Sequence, residues 1–340
     1  MTERLIRLGL PSKGRMEEET LAFLDGCGLR VVKPNPRQYV AVIPTIPELE
    51  VWLQRSADIV RKVYYGDVDL GITGYDSVAE YGCDDGTVML LHAELGFGAC
   101  RLALAVPDEW TAVRDLVDLA TLARRRADEG QPLRIGTKYQ RLVTAFLDAH
   151  GIAPYQIIWA EGALEAGPHM GYVDMIADLT ASGVTLRENH LKQIDGGTLV
   201  ASQACLIGNR RALGQRPHVL AVAKQLLEFF EARLRATGYH AIIANIKGES
   251  PEAVAQRVFS QPDLAGLQGP TISSVYLRDT NDRTWYAISI IVRQERLVQA
   301  VQQLRAIGGS GVVVMPATYI FEDEPATYRQ MVAALEADSQ

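Results

Sequence analysis

The chain has 340 residues, room for two or three domains at roughly 150 residues each. Its 34 Lys and Arg stand against 41 Asp and Glu, a net charge of −7 that argues against a nucleic-acid coat or an anionic membrane surface. With 48% hydrophobic and 22% charged residues, it reads as a globular chain with a sizeable core and not a disordered one.

Residues 4–10 read as a buried strand, followed by the polar loop Pro11-Ser-Lys13-Gly14-Arg15 and a helix that stops at Gly28. A glycine there lets the backbone approach an anion that Lys13 and Arg15 would neutralise; the bland alternative is a solvated basic turn. Asp69-Leu-Gly-Ile-Thr-Gly74-Tyr-Asp76 is a second strand running into a glycine-rich loop. The run 95–106, ended by Pro107, reads as a strand crossing to a second lobe.

That second lobe repeats the first. A strand at 133–137 leads into a helix ending Phe146-Leu147-Asp148 before Gly151, echoing Phe23-Leu24-Asp25 before Gly28. Val68-Asp-Leu-Gly-Ile is likewise echoed by Val173-Asp-Met-Ile-Ala. The matches keep their order, which predicts two similar lobes built on largely parallel sheets. In the stretch Glu165–Asn189, a hydrophobic strand ends at Asp178, and a Thr/Ser/Gly turn feeds a helix with Thr185 as its N-cap. Backbone N–H groups and hydroxyls of this kind suit a phosphate, and Asp178 could bind sugar hydroxyls; an ordinary capped turn is the alternative. The segment 198–208 reads as the return crossing, so the two crossings would enclose a hinged cleft, where small ligands usually sit.

After a helical stretch at 217–236 the pattern changes. A strand (239–246), a helix opened by Ser250-Pro251, strands at 271–278 and 284–292 around Thr280, a helix (294–307) and a strand (311–316) spell βαββαβ, the ferredoxin-like order. Pro325 onward adds a terminal helix.

Other features carry less. Cys27, Cys83, Cys100 and Cys205 form no CxxC, and the histidines show no HxH or HExxH spacing, so no protein-built metal cage is expected. No apolar stretch approaches the roughly 18 residues of a spanning helix, and Met1–Arg7 lacks the apolar run of a signal peptide. A cytoplasmic chain is expected. Arg124, Arg125 and Arg126 read as a solvated helix face, and Ser182 lacks the Gly-x-Ser-x-Gly elbow of a hydrolase nucleophile.

Taken in order, Pro11–Arg15, Asp69–Gly74, Gly98–Arg101 and above all Asp178–Asn189 resemble the ATP phosphoribosyltransferase family, the first enzymes of histidine biosynthesis. The tail, with Gly269-Pro270-Thr271 and Gly308–Pro316, resembles the regulatory domain of its long form. The resemblance implies an α/β fold: a two-lobed core like a type II periplasmic binding protein, plus a C-terminal ferredoxin-like βαββαβ domain. On this reading, residues 1–104 with 196–236 form lobe I, 105–195 form lobe II, and 237–340 form the regulatory domain. The implied reaction joins N1 of ATP to C1 of phosphoribosyl pyrophosphate, with Mg²⁺ carried by the substrates and no strong general base.

The resemblance assigns Lys13, Arg15 and Asp178 to catalysis. Phosphoribosyl pyrophosphate would be held by Thr180, Ala181, Ser182, Gly183, Val184 and Thr185, with Asp178, Glu165 and Asp174, the last being alternatively a structural strand residue. ATP would meet Lys13, Gly14, Arg15, Arg55, Gly74, Asp76 and Arg101 on the lobe I wall. Histidine, as allosteric inhibitor, would contact Pro270, Thr271 and Ser273, in a homo-oligomer exchanging between dimer and hexamer. Leu179 follows Asp178, so the loop offers one acid where many phosphoribosyltransferases of another fold offer two. The glycine-rich Asp195–Gln203 reads as a flexible hinge. Two rival classes share these features: a solute-binding protein and a catalytically silent regulatory paralogue.

Overall fold

A computed structural model describes residues 4–35, 37–276 and 284–337. The chain divides into two compact units, residues 1–227 with 325–340 and residues 228–324.

In the first unit, β1 (Ile6–Pro11) and α1 (Gly14–Gly26) lead to the short β2 (Val40–Val42), then β3 (Leu49–Gln54), α2 (Ser56–Tyr65), β4 (Leu70–Gly74), α3 (Tyr75–Tyr81) and β5 (Val88–His92). The chain then changes sheet with β6 (Cys100–Pro107), followed by α4 (Leu116–Asp128), β7 (Leu133–Thr137), α5 (Gln140–Ala149), β8 (Tyr155–Trp159), a 3₁₀ turn (Leu164–Ala166), α6 (Gly167–Met170), β9 (Met175–Thr180), α7 (Val184–Glu188) and β10 (Leu191–Ser202). It returns with β11 (Ala204–Asn209), α8 (Arg210–Gln215) and α9 (Pro217–Ala236), whose residues from Glu228 onward count with the second unit.

The first sheet has the order β2-β3-β1-β4-β11-β5 and the second β10-β6-β9-β7-β8. Without the added edge strand β2, the two sheets share one topology: β3-β1-β4-β11-β5 matches β8-β7-β9-β6-β10 strand for strand. In each, four strands run in one direction and a single strand, β11 or β6, runs against both its neighbours. The shared strands are thus largely parallel in direction, as expected, with one reversed in each sheet. A strand arriving straight from the other lobe has no helical crossover to turn it around, so it enters antiparallel. The echoed helix stops are the same structure twice: Leu29 N–H donates to Leu24 O (2.8 Å) past Gly28 at φ 71°, and Ile152 N–H to Leu147 O (3.0 Å) past Gly151 at φ 64°.

The lobe boundaries differ from those read in the sequence. Strand β6 belongs wholly to the second sheet from Cys100, and β10 stays in it to Ser202, so the crossings are 93–99 and Gln203. They lie side by side, Leu95 N–H donating to Ala204 O and Ala204 N–H to Phe97 O, both 2.9 Å. The run 95–106 is apolar apart from Arg101, with no break that marks where crossing ends and strand begins. The glycine-rich segment is not the hinge: Gly196 and Gly197 form a bulge within β10, where the register to β6 shifts between Gln193 and Thr198. A Cβ on Gly197 would meet Ile194 Cγ1 at 2.7 Å, so glycine is needed for close approach.

In the second unit, β12 (Tyr239–Lys247), α10 (Pro251–Phe259), β13 (Thr271–Ser274), β14 (Trp285–Arg293), a 3₁₀ turn (Gln294–Arg296), α11 (Leu297–Ala306) and β15 (Ser310–Pro316) give the expected βαββαβ order. The antiparallel sheet is ordered β13-β14-β12-β15, and Ile242, Ala244, Ile288 and Ile290 pack with Val254, Val258, Ala300 and Leu304 of the helices. Ser250 caps α10, its hydroxyl accepting from Ala253 N–H at 3.2 Å. The turn expected around Thr280 lies outside the described residues. The terminal helix α12 (Ala326–Ala337) folds with the first unit, not with residues 237–324: Ala334 O accepts from Arg210 of α8 at 3.1 Å, and Lys224 of α9 sits 4.8 Å from the Tyr328 ring centroid. Among the described residues no helix is long and apolar enough to cross a membrane.

Candidate active site

Ligands of open α/β sheets gather at the carboxyl ends of parallel strands, and the first unit puts its chemistry there. Strand β1 ends in Pro11 and delivers Ser12 and Lys13; Gly14, at φ 69° with open space where a Cβ would be, turns the chain into α1 and Arg15. Strand β4 ends in Gly74 and places Asp76 in the first turn of α3. On the other lobe, β7 delivers Lys138 and Tyr139, β8 ends in Trp159, and β9 ends in Asp178, Leu179 and Thr180.

Lobe walls meet in two adjoining cavities. One, about 300 Å³, is lined by Ser12, Lys13, Gln54, Arg55, Arg61, Tyr81, Trp159 and Glu161; the other, about 230 Å³, by Arg15, Glu19, Gly74, Asp76, Gly98, Cys100 and Leu179. Ser56, Ser77, Lys138 and Tyr139 line both, so they form one continuous cleft. Of the residues read from sequence, Lys13, Arg15, Arg55, Gly74 and Asp76 therefore share a cleft wall. Arg15 is mostly exposed and held by Glu19 of the next helical turn at 2.7 Å. Arg55 reaches Glu161 of the opposite lobe at 3.4 Å.

The loop after β9 is built differently from its prediction. The cap of α7 is Gly183 at φ 73°, and Thr185 stands exposed in the first turn. Thr180 is buried and its Oγ1 accepts the Gly183 N–H at 3.1 Å, tying the loop into a tight arc. Ala181, Ser182, Val184 and Thr185 are exposed on that arc, and Arg187 bends back to Ser182 O at 3.4 Å.

Asp178 precedes Leu179, which lines the second of these cavities. Burial pushes its carboxyl above the ordinary carboxylate range, against the Leu179 N–H (2.8 Å) and the charge of Lys138, while Glu165 and Asp76 push the same way as burial. Glu165 sits in the 3₁₀ turn after Ala163, a non-glycine residue at φ 47°, a strain of the kind found at binding sites. These acidic neighbours suit an incoming cation, although among the described residues no group of three or more His, Cys, Asp or Glu is placed to hold a metal.

Three predicted residues lie elsewhere or are otherwise engaged. Asp174 is at the opposite end of β9, where its carboxylate accepts from Arg134 N–H (2.8 Å) and Arg134 Nη2 (3.0 Å) and pairs with Arg126 at 3.0 Å. Burial works to raise its pKa, but the Arg134 hydrogen bonds and both guanidinium charges outweigh it and the net shift is downward. It is a structural strand residue, and Arg126, expected in solvent, is one of its partners. Arg101 pairs in register with Thr180 and donates to Gln193 at 3.0 Å, which places it on lobe II beside the loop and not on the lobe I wall. Asp76 is buried, and its carboxylate accepts from Tyr139 Oη (2.7 Å), Ser202 Oγ (2.7 Å) and Ser77 Oγ (3.2 Å). It latches lobe to lobe, through Tyr139 after β7 and Ser202 at the end of β10. Glu80 adds to this contact, its carboxylate accepting the N–H groups of Arg141 and Leu142 at the start of α5, at 2.9 and 3.0 Å.

Lys138, Tyr139, Trp159 and Gln54 escaped the sequence reading. The internal repeat signals Lys138, because the offset that aligns Gly28 with Gly151 aligns Arg15 with it. In the second unit, Pro270, Thr271 and Ser273 lie at the edge strand β13, with Thr271 and Ser273 exposed and Ile272 turned to the core. A cavity of about 220 Å³ lies elsewhere in that unit, lined by Tyr239, Asp263, Leu267, Arg293 and Arg296.

Comparison with known proteins accords with this geometry. A family model described as ATP phosphoribosyltransferase matches residues 55–232, and one for the C-terminal domain of that family matches residues 236–319. The chain is 47% identical to ATP phosphoribosyltransferase 2, chloroplastic, of Arabidopsis thaliana, over 97% of its own length and 80% of that protein. It is 43% identical to the ATP phosphoribosyltransferase of Brucella anthropi, a match covering 61% of this chain and 91% of that one. Among solved structures, a chain of the Thermotoga maritima ATP phosphoribosyl transferase HisG:HisZ complex shares the fold at TM-score 0.51 and 22% identity, over 67% of this chain and 99% of that one.

Proposed function

The chain belongs to the ATP phosphoribosyltransferase family, pentosyltransferases that open histidine biosynthesis, and we propose that it joins N1 of ATP to C1 of phosphoribosyl pyrophosphate, releasing pyrophosphate with inversion at C1. The observation that carries this reading is one cleft with Lys13, Arg15 and Arg55 on one wall and Lys138, Tyr139 and Leu179 on the other, Leu179 lying between Asp178 and the arc Thr180–Thr185.

As the C1–O bond breaks, negative charge gathers on pyrophosphate and positive charge on the ribose. Lys13 and Arg15, with Lys138 at the end of β7, offset the first. The arc holds the 5′-phosphate through Ser182, Thr185 and backbone N–H groups, and Asp178 accepts from ribose hydroxyls. Adenine N1 carries no proton, so a strong base is not needed. Mg²⁺ is the cofactor of this proposal; brought in on the phosphates, it would neutralise the leaving group, with Asp178 and Glu165 the carboxylates placed to meet it.

Histidine inhibits on this reading, through the βαββαβ unit and contacts at Pro270, Thr271 and Ser273, by favouring one assembly of a homo-oligomer that exchanges between dimer and hexamer. Four cysteines, none of them in a disulfide, suit a reducing compartment such as the cytoplasm. The test is direct: purified chain with ATP, phosphoribosyl pyrophosphate, Mg²⁺ and pyrophosphatase, followed in the ultraviolet for phosphoribosyl-ATP. Product that falls on adding histidine supports both halves. No product at any enzyme concentration refutes the catalytic half, and product insensitive to histidine refutes the regulatory half.

A further inference from the structure

Trp159 is 60% exposed, at the carboxyl end of β8, where it lines the cleft. The other three tryptophans are each partly buried, Trp52 beneath the Arg7 guanidinium at 4.2 Å and Trp110 beneath Arg126 at 5.5 Å. An indole presents a flat apolar face whose exposure to water is unfavourable, so one left open in a polar cleft points to a flat ligand that covers it.

Its position says which ligand. Strands β8, β7 and β9 are parallel neighbours in that order, with Trp159 level with Thr137. The indole therefore stands two strand spacings, roughly 10 Å, from β9 and the arc that follows it. Lys138 lies between them at the end of β7. That separation suits a ribose 5-phosphate at the arc joined to a purine at the tryptophan, with C1 and the departing pyrophosphate above Lys138. The facing wall offers Lys13, Arg55 and Arg61, the last 4.6 Å from the Tyr81 ring centroid. Gln54 lines the same cavity with a buried Oε1 that has no hydrogen-bond donor, an acceptor suited to an exocyclic amino group. A stacking face, an unpartnered acceptor and three cations are the complement of an aminopurine nucleoside triphosphate.

We infer that Trp159 is the stacking platform for the adenine of ATP and determines affinity for that substrate and not for phosphoribosyl pyrophosphate. The inference rests on the proposed reaction for the identity of the two substrates.

Its test compares the wild type with Trp159→Ala and Trp159→Phe in the full chain. The Ala variant should raise KM for ATP about 10- to 100-fold, the worth of one base–aromatic stack, and leave KM for phosphoribosyl pyrophosphate within about twofold. The Phe variant, with a smaller ring, should fall between. Trp159 is exposed, so its removal leaves no cavity in the core, and circular dichroism checks the fold of both variants. Independently of turnover, ATP alone should quench the intrinsic fluorescence of the wild type in a saturable way, and the quench should be absent in Trp159→Phe. An unchanged KM for ATP, equal losses for both substrates, or a quench that survives in the Phe variant overturns the stack. A wild type that forms no phosphoribosyl-ATP but shows the Trp159-dependent quench overturns the reaction instead and leaves the purine site standing.

Discussion

Removing a single hydroxyl, by Tyr139→Phe, tests whether the Asp76 cluster holds the lobes together. Tyr139 is 2% exposed and its Oη donates to Asp76 Oδ2 at 2.7 Å, so phenylalanine fills the same space and leaves the carboxylate with one strong donor fewer. Hydrogen bonds to charged groups contribute about 1.5–3 kcal/mol, and a site this buried gives water little room to substitute. At about 2–4 °C per kcal/mol for a unit of this size, the melting temperature should fall by roughly 3–12 °C. Ser202 Oγ donates to the other oxygen of the same carboxylate, at 2.7 Å. The losses in Tyr139→Phe and Ser202→Ala should therefore be coupled, with an interaction energy above about 0.5 kcal/mol in a double-mutant cycle read by thermal or denaturant unfolding. A melting temperature within about 1 °C of wild type for Tyr139→Phe, or strict additivity of the pair, would refute the latch.

Asp178→Asn should abolish activity yet raise stability at neutral pH. Burial raises the folded pKa of Asp178 above its unfolded value near 3.9, so folding binds a proton and stability falls as pH rises through that interval. The gain from Asn should be present at pH 7 and vanish below about pH 4; a variant that melts no higher than wild type at pH 7 contradicts this. Asp174→Asn should do the reverse, costing about 1–3 kcal/mol because its Arg126 and Arg134 partners remain in a partly exposed site, with both KM values within about twofold. A large rise in KM for phosphoribosyl pyrophosphate would return Asp174 to the binding site. The double variant Ser182→Ala, Thr185→Ala should raise KM for phosphoribosyl pyrophosphate at least about tenfold, at roughly 1 kcal/mol for each lost hydroxyl contact. An unchanged value in steady-state kinetics removes the 5′-phosphate from the arc.

Much of this fold was legible because it is written twice. The helix stops at Gly28 and Gly151, and the strands at 6–11 and 133–137, repeat in order because each lobe must close the same βα unit against the same kind of sheet. The latch was not legible: Tyr139 and Ser202 lie 63 and 126 residues from Asp76, and nothing local to any of them marks the contact. Helix α12 went to the wrong unit for a similar reason, since its partners on α8 and α9 are more than one hundred residues earlier. The cap at Gly183 was missed because a hydroxyl is the usual N-cap, whereas here the chain enters α7 through a left-handed residue and Thr180 satisfies its N–H from outside the helix.

The two aspartates at the opposite ends of β9 show what the net charge of −7 conceals. Asp174 and Asp178 are the same residue type within one hydrophobic run, and composition treats them alike. Strand direction separates them. Asp174 precedes β9 at its amino end, away from the cleft, and two arginines compensate it; Asp178 stands toward the carboxyl end, where α/β folds bind ligands, with Lys138 the cation that draws its pKa down and acidic neighbours that push it up. A buried carboxyl left so poorly compensated costs stability, and its retention is intelligible if substrate and its metal supply the missing charge. The parallel order of β7, β8 and β9 follows from the alternation of strands and helices, so this distinction was available to a reading of the sequence that tracked strand direction as well as residue type.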